Sequence, residues 1–198
     1  KEQLDGITNQ LTQATAIANN VYYKLLYGEG SNLSIASNGN TETVTSITLD
    51  DVKAYYKNFS GFNSVLAVSG DIDQISALNK LNFLNKLQSA NTMPQAKYKL
   101  PEIDKTRIYF VDKKGAPQSE IRVGNLSLAY DATEEFFKSN IMNYSFAGAF
   151  NSRINFILRE VKGFTYGARG GFYGNKFVAP YAISAGVKAN TTDRSLVI

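Results

Sequence analysis

Between Glu2 and Tyr27 the apolar residues Leu4, Ile7, Leu11, Ala14, Ala18, Val21 and Leu25 recur three and four positions apart. That spacing predicts one amphipathic helix ending at Gly28. A polar loop rich in Gly, Ser and Asn follows (EGSNLSIASNGNTET). SITLDDVKAYYKNF then restores helical spacing, with Thr48 as N-cap and Asp50 and Asp51 in the first turn. SVLAVSG is a short apolar run and reads as a mostly buried strand. Asp73 caps the next helix, whose stripe is Ile75, Leu78, Leu81, Leu84 and Leu87. SANTMPQAKYKLPEI carries two prolines, loses all periodicity and reads as a surface linker.

The second half changes rhythm. RIYFVDKKG predicts a strand and a turn. SEIRVGNLSLAY alternates through Ile121 and Val123, then shifts phase around Gly124 and Asn125, which predicts a strand with a bulge. From Thr133 a helical pattern runs through Phe137, Ile141 and Tyr144, meets small residues near Gly148, and restarts through Phe150, Ile154 and Leu158, so two helices join at Gly148. After Gly163 the pattern turns to glycine and aromatics, FTYGARGGFYGNKFVAPYAISAGVKA, and predicts two antiparallel strands around a loop. Helices and strands in blocks, without strict βαβ alternation, indicate an α+β fold with helices over one face of the sheet.

The chain has 198 residues, long enough to bury a core without disulfides or a structural metal. It has neither cysteine nor histidine, so a disulfide framework, a thiolate nucleophile, a Ser-His pair or a His-ligated zinc site cannot be built from it alone. The net charge of +4 arises from 21 basic and 17 acidic residues dispersed along the chain, and nucleic acid is not expected as a partner. No apolar run approaches the ~20 residues of a membrane span. The chain opens in a polar pattern without a signal peptide, and TTDRSLVI resembles the first turn of a helix cut short, so a fragment of a longer protein is expected.

Of the motifs, GARGGFYG follows a helix and precedes a strand, the reverse of a phosphate loop, and is better read as a bulged strand. The acidic pairs are Glu2/Asp5, Asp50/Asp51, Asp71/Asp73 and Glu134/Glu135, and all but one of them stand at predicted helix starts, where the helix dipole favours them. In LREVKGFTYGARGGFYG, Arg159 lies in the last turn of a helix ending at Gly163, and Tyr166 follows the reversal. A cation in a last turn is electrostatically favourable in itself. The same reversal would also bring a guanidinium and a phenol together as hydrogen-bond donors to a carbonyl or a carboxylate.

Five stretches, LLYGEG (25–30), ITLDDVKAYY (47–56), LAVSGDID (66–73), FAGAFNSRINFILREVKGFTYGA (146–168) and AISAGVKAN (182–190), together resemble the M16 zinc metallopeptidases, the pitrilysin, insulinase and mitochondrial processing peptidase group. The resemblance implies a two-layer α+β domain of the LuxS/metallohydrolase type with a mostly antiparallel sheet. Residues 1–60 would be a helical segment from the preceding subdomain and 61–198 a C-terminal-type domain, truncated at its end. In that family one half holds zinc with an inverted HxxEH motif and a downstream glutamate, and a homologous half contributes an arginine and a tyrosine that contact substrate. Those two positions fall on Arg159 and Tyr166.

With no histidine, no zinc ligand carries over, and Glu2, the only acid near where a third ligand would fall, stays unassigned. The loop at 29–42 also lacks the His-Pro often found in zinc-bearing halves. The resemblance therefore implies a non-catalytic, substrate-binding half that clamps unfolded peptide against a separate zinc-bearing half. No cofactor is expected in this chain, and zinc is expected in the partner. The alternative it leaves open is a scaffold subunit with the peptidase fold and no proteolytic role. Bacterial relatives are often periplasmic, and the absence of cysteine permits that compartment.

Overall fold

A computed structural model describes residues 1–57, 65–86 and 100–198. The chain groups into two compact units, 1–40 with 99–198, and 41–98. The first unit thus joins residues 1–40 to the segment that carries the sheet.

The predicted first helix is two, α1 (Glu2–Gln10) and α2 (Ala14–Tyr27). The Thr12 hydroxyl donates to the Asn9 carbonyl at 2.7 Å, and Thr12 and Gln13 take tight i−3 backbone bonds, so the ladder closes before Gln13 turns extended. A side chain that competes for backbone carbonyls ends a helix that apolar spacing alone would continue. Gly28, at φ 77°, ends α2 as expected.

The smaller unit carries α3 (Thr41–Ser46), α4 (Leu49–Tyr56) and α5 (Gln74–Leu81). Thr48 and Asp51 form a reciprocal capping box at α4, and Asp73 accepts from the Ser76 amide at 2.9 Å at α5, so both predicted caps are present. The α5 stripe passes into a 3-10 turn, Asn82–Lys86. Leu87 and most of the linker at 89–103 lie outside the described residues.

Two predicted strands do not form among the described residues. The stretches 65–69 and 107–112 pair with no described strand, and Val65 is 97% exposed, so neither is a buried strand. An apolar β-branched run becomes a strand only where a neighbour takes its backbone hydrogen bonds, and no described segment supplies them.

Among the described residues the sheet has three antiparallel strands, β1 (Gln118–Leu126), β2 (Thr165–Phe172) and β3 (Pro180–Lys188), in the order β1-β3-β2. β2 and β3 are the predicted hairpin. Between β1 and β2 come α6 (Glu135–Asn143), a π-helical turn Tyr144–Gly148, a break at Ala149, then α7 (Arg153–Asn155), which widens into a second π-helical turn, Phe156–Val161. The join therefore falls at Gly148, as expected. A short helix, α8 (Thr192–Leu196), follows β3. Leu158, Ile154 and Phe164 pack on one face of the sheet against Ile121, Ala168, Ala185 and Val187.

β1 pairs with β3 in unbroken register from Gln118↔Lys188 to Leu126↔Pro180, so the bulge expected at Gly124 is not there. Gly124 is small for another reason. On its face of the strand the Arg122 guanidinium donates to the Asn19 carboxamide of α2 at 2.8 Å and pairs with Glu120 at 3.1 Å. The Tyr22 hydroxyl of α2 donates to the Tyr181 carbonyl across Gly124. A Cβ at Gly124 would stand 2.1 Å from that carbonyl and 2.3 Å from that hydroxyl.

Gly124→Ala should therefore destabilise the protein by about 1–3 kcal/mol, an overpacking cost. Urea denaturation would show a lower midpoint at unchanged slope, whereas an unchanged midpoint would mean that α2 does not press on β1. A second expectation concerns acid. The hydroxyl and amide of Thr48 hold the Asp51 carboxyl below its ordinary pKa, and the hydroxyl and amide of Ser76 do the same for Asp73. The Phe136 amide, with those of Glu134 and Thr133, acts likewise on Asp131, which caps α6. A depressed native pKa contributes stability above the unfolded value, about 3.9, that is lost as pH falls through the native one. The thermal midpoint should thus lose the part owed to these caps below about pH 4, and Asp131→Asn should flatten that decline.

Candidate functional site

Arg159 and Tyr166 come from opposite sides of a chain reversal. The π-helical turn Phe156–Val161 carries Arg159, and Gly163 ends it at φ 61°, a left-handed conformation that glycine adopts without strain. The next residues enter β2 through a bulge. Thr165 faces Val187 and Ala168 faces Ala185, so Tyr166 and Gly167 together stand opposite the single residue Gly186. The Thr165 hydroxyl fixes this irregularity, accepting from the Gly167 amide at 3.0 Å and donating to the Gly186 carbonyl at 2.7 Å. A bulge re-aims a side chain, and here the Tyr166 ring is 86% exposed. GARGGFYG thus belongs to a bulged strand, with the bulge at its start.

The reversal brings the expected pair together. The Arg159 guanidinium carbon lies 5.1 Å from the centroid of the Tyr166 ring and 4.7 Å from that of Phe150. Arg159 therefore has two aromatic rings within cation–π reach, each contact worth about 0.5–1 kcal/mol at an exposed site. Its Nε lies 3.3 Å from Glu160 Oε1. With Glu160 more than half exposed, that ion pair contributes little to stability. The terminal amino groups of Arg159 have no partner among the described residues and are the donors left for a ligand.

Phe150 and Asn155 were not singled out from sequence. Asn155 is only 3% exposed. Its amide nitrogen donates to the Phe150 carbonyl, and its oxygen accepts from the Ala168 amide at 2.8 Å. Asn143, also 3% exposed, plays a similar part further along β2. It donates to the Gly170 carbonyl at 2.8 Å and accepts from the Tyr181 hydroxyl at 2.9 Å. The signal available in the sequence was an asparagine inside an apolar helical stripe, Asn155 beside Ile154 and Leu158, where burial demands a hydrogen-bond partner.

The chain's own residues do not suit a zinc ion. It has no histidine or cysteine, and among the described residues no three acidic side chains cluster as a metal site. Glu2 sits in the first turn of α1, where an acid complements the helix dipole. A separate small cleft of about 290 Å³ lies between α2 and Ser34–Asn38, and no charged side chain lines it. No helix among the described residues is long and apolar enough to cross a membrane.

Comparison with known proteins agrees with this architecture. The family model described as the peptidase M16 inactive domain matches residues 46–197, and the chain belongs to that family. Among solved structures, the peptidase M16 inactive domain from Pseudomonas fluorescens superposes with a TM-score of 0.85 at 24% identity, over 99% of this chain and 47% of that one. A protease from Helicobacter pylori matches with a TM-score of 0.68 at 17% identity, over 81% of this chain and 40% of that one. A conserved protein from Enterococcus faecalis V583 matches with a TM-score of 0.66 at 17% identity, over 99% and 46%. The chain thus spans about half the length of the structures it matches. No curated protein sequence matches it.

Stability and surface chemistry should separate here. Asn143→Ala leaves the Gly170 carbonyl and the Tyr181 hydroxyl without this partner and should cost about 1–3 kcal/mol in denaturant unfolding. Tyr166→Phe alters only an exposed hydroxyl and should fall within about 0.5 kcal/mol of the parent. A large loss for Tyr166→Phe would mean that the phenol supports the fold.

Proposed function

We propose that this chain is the non-catalytic, substrate-binding half of an M16-type zinc endopeptidase, clamping unfolded peptide against a separate zinc-bearing half. The observation that carries this reading is the pairing of Arg159 with Tyr166 on an accessible surface of a domain from the inactive-domain family. Zinc would activate water in the other half. Here the work is binding and orientation. The free amino groups of Arg159 and the hydroxyl of Tyr166 donate to peptide carbonyls near the scissile bond, fixing the register of an extended substrate. A donor aimed where charge develops also lowers the barrier to attack.

The test uses the full-length protein with its zinc-bearing half. Arg159→Ala and Tyr166→Phe should each remove about 2–4 kcal/mol of transition-state stabilisation, roughly a 30- to 1000-fold loss in kcat/KM for peptides. Thermal midpoints near the parent value would show that the fold is retained. If both variants keep kcat/KM within about twofold of the parent, the clamp role is wrong, and a scaffold subunit with this fold is the reading that remains.

A further inference from the structure

We infer that Phe150 is the second wall of a preorganised slot for the Arg159 guanidinium, and that Asn155 is the positioning residue that holds both walls. Its value to a ligand rests on the substrate-binding reading above, but the slot itself is a separate claim.

A free arginine side chain samples many rotamers and loses that freedom on binding. Arg159 has instead an aromatic ring near its guanidinium on the Phe150 side at 4.7 Å and another on the Tyr166 side at 5.1 Å, while Glu160 lies near its Nε. The terminal amino groups of the fork have no hydrogen-bond partner among the described residues, and such donors suit a planar acceptor, a peptide carbonyl or a carboxylate. The two walls come from different elements. Phe150 stands in the break between the two helical segments, and Tyr166 on the bulge of β2. The Asn155 carboxamide bonds the backbone of Phe150 itself and that of Ala168, two residues beyond Tyr166. It is buried, makes one bond with its nitrogen and one with its oxygen, and so sets the separation of the walls without touching a ligand. Phe150 is 61% exposed, so its ring is not retained for core packing.

The experiment is arginine-selective 15N NMR of the full-length protein, following the Arg159 Nε–H resonance, with peptide binding and kinetics alongside. A proton held near an aromatic face is shifted by the ring current. In Phe150→Ala, which leaves the core untouched, that resonance should move toward the random-coil position, and peptide KM should rise about two- to fivefold at nearly constant kcat. Phe150→Tyr should restore both. Asn155→Asp keeps the acceptor for the Ala168 amide but loses the donor to Phe150, and should reproduce the Phe150→Ala shift while the Tyr166 contribution persists. Asn155→Ala should lose both contributions. If Asn155→Ala does not fold, the Phe150 pair and Asn155→Asp still decide the matter.

An Arg159 resonance unchanged in Phe150→Ala overturns the slot, even where Arg159→Ala abolishes activity and the clamp reading survives. An Asn155→Asp resonance identical to the parent overturns the positioning role. Shifts as expected, in a protein whose peptide kinetics ignore Arg159→Ala, would establish the slot and reject the clamp.

Discussion

The outer edge of β2 has to be hydrogen-bonded by side chains. Among the described residues β2 is the last strand of the sheet. The Tyr173 amide donates to the Pro180 carbonyl across the hairpin, so the backbone groups of odd-numbered neighbours point into the ladder, and those of Ala168 and Gly170 point away from β3. Such groups, buried under a helix, cost about 1–3 kcal/mol each if left without a partner. The helical segment above supplies the partners. Asn155 accepts from the Ala168 amide and Asn143 donates to the Gly170 carbonyl. Two carboxamides thereby replace a fourth strand along this edge, and they fix the height and rotation of both helical pieces over the sheet.

The same constraint shapes the surface. For Asn155 to reach Ala168 and also the Phe150 carbonyl, the chain between the two helical pieces has to fold back through the break at Ala149. This leaves Phe150 at the rim beside Arg159. The bulge then displaces Tyr166 out of the alternation of β2, since a regular strand would give each of its residues one partner on β3. Phe150, Arg159 and Tyr166 are close in sequence but lie on three different irregularities, a break, a widened helical turn and a bulge. The break and the bulge are each anchored by a polar side chain, Asn155 and Thr165.

Much of this was legible in the residues. Helix caps at Thr48 and Asp73, the stop at Gly28, the join at Gly148 and the hairpin of β2 and β3 follow from local chemistry, which acts over three or four positions and needs no tertiary partner. The misses share the opposite cause. The helix expected to run unbroken from Glu2 is interrupted by a threonine hydroxyl that takes a carbonyl. The phase shift at Gly124 marks the approach of Tyr22 from α2, more than a hundred positions earlier in the chain, and apolar alternation cannot report that. The runs at 65–69 and 107–112 have strand composition without a described neighbour to pair with. Arg159 and Tyr166 were visible through family resemblance and local spacing, whereas Phe150 and Asn155 required the fold, because a carboxamide's role depends on which backbone groups lie within about 3 Å of it.

In the proposed clamp, stability and recognition are carried by different atoms. The buried carboxamides and the sheet-helix core around Val187 and Leu158 hold the architecture, and their removal is felt as unfolding. Arg159, Tyr166 and Phe150 lie at the surface, where their mutual contacts are each worth less than about 1 kcal/mol and add little to the fold. An arginine kept beside two exposed aromatic rings, with terminal amino groups that no described residue binds, is poorly explained as a stabilising device. Aromatic rings beside the guanidinium restrict its motion and shed water from it, which matters little to folding and considerably to the affinity of an acceptor arriving later. That asymmetry supports the proposed recognition at this rim, with structural integrity held one layer beneath it.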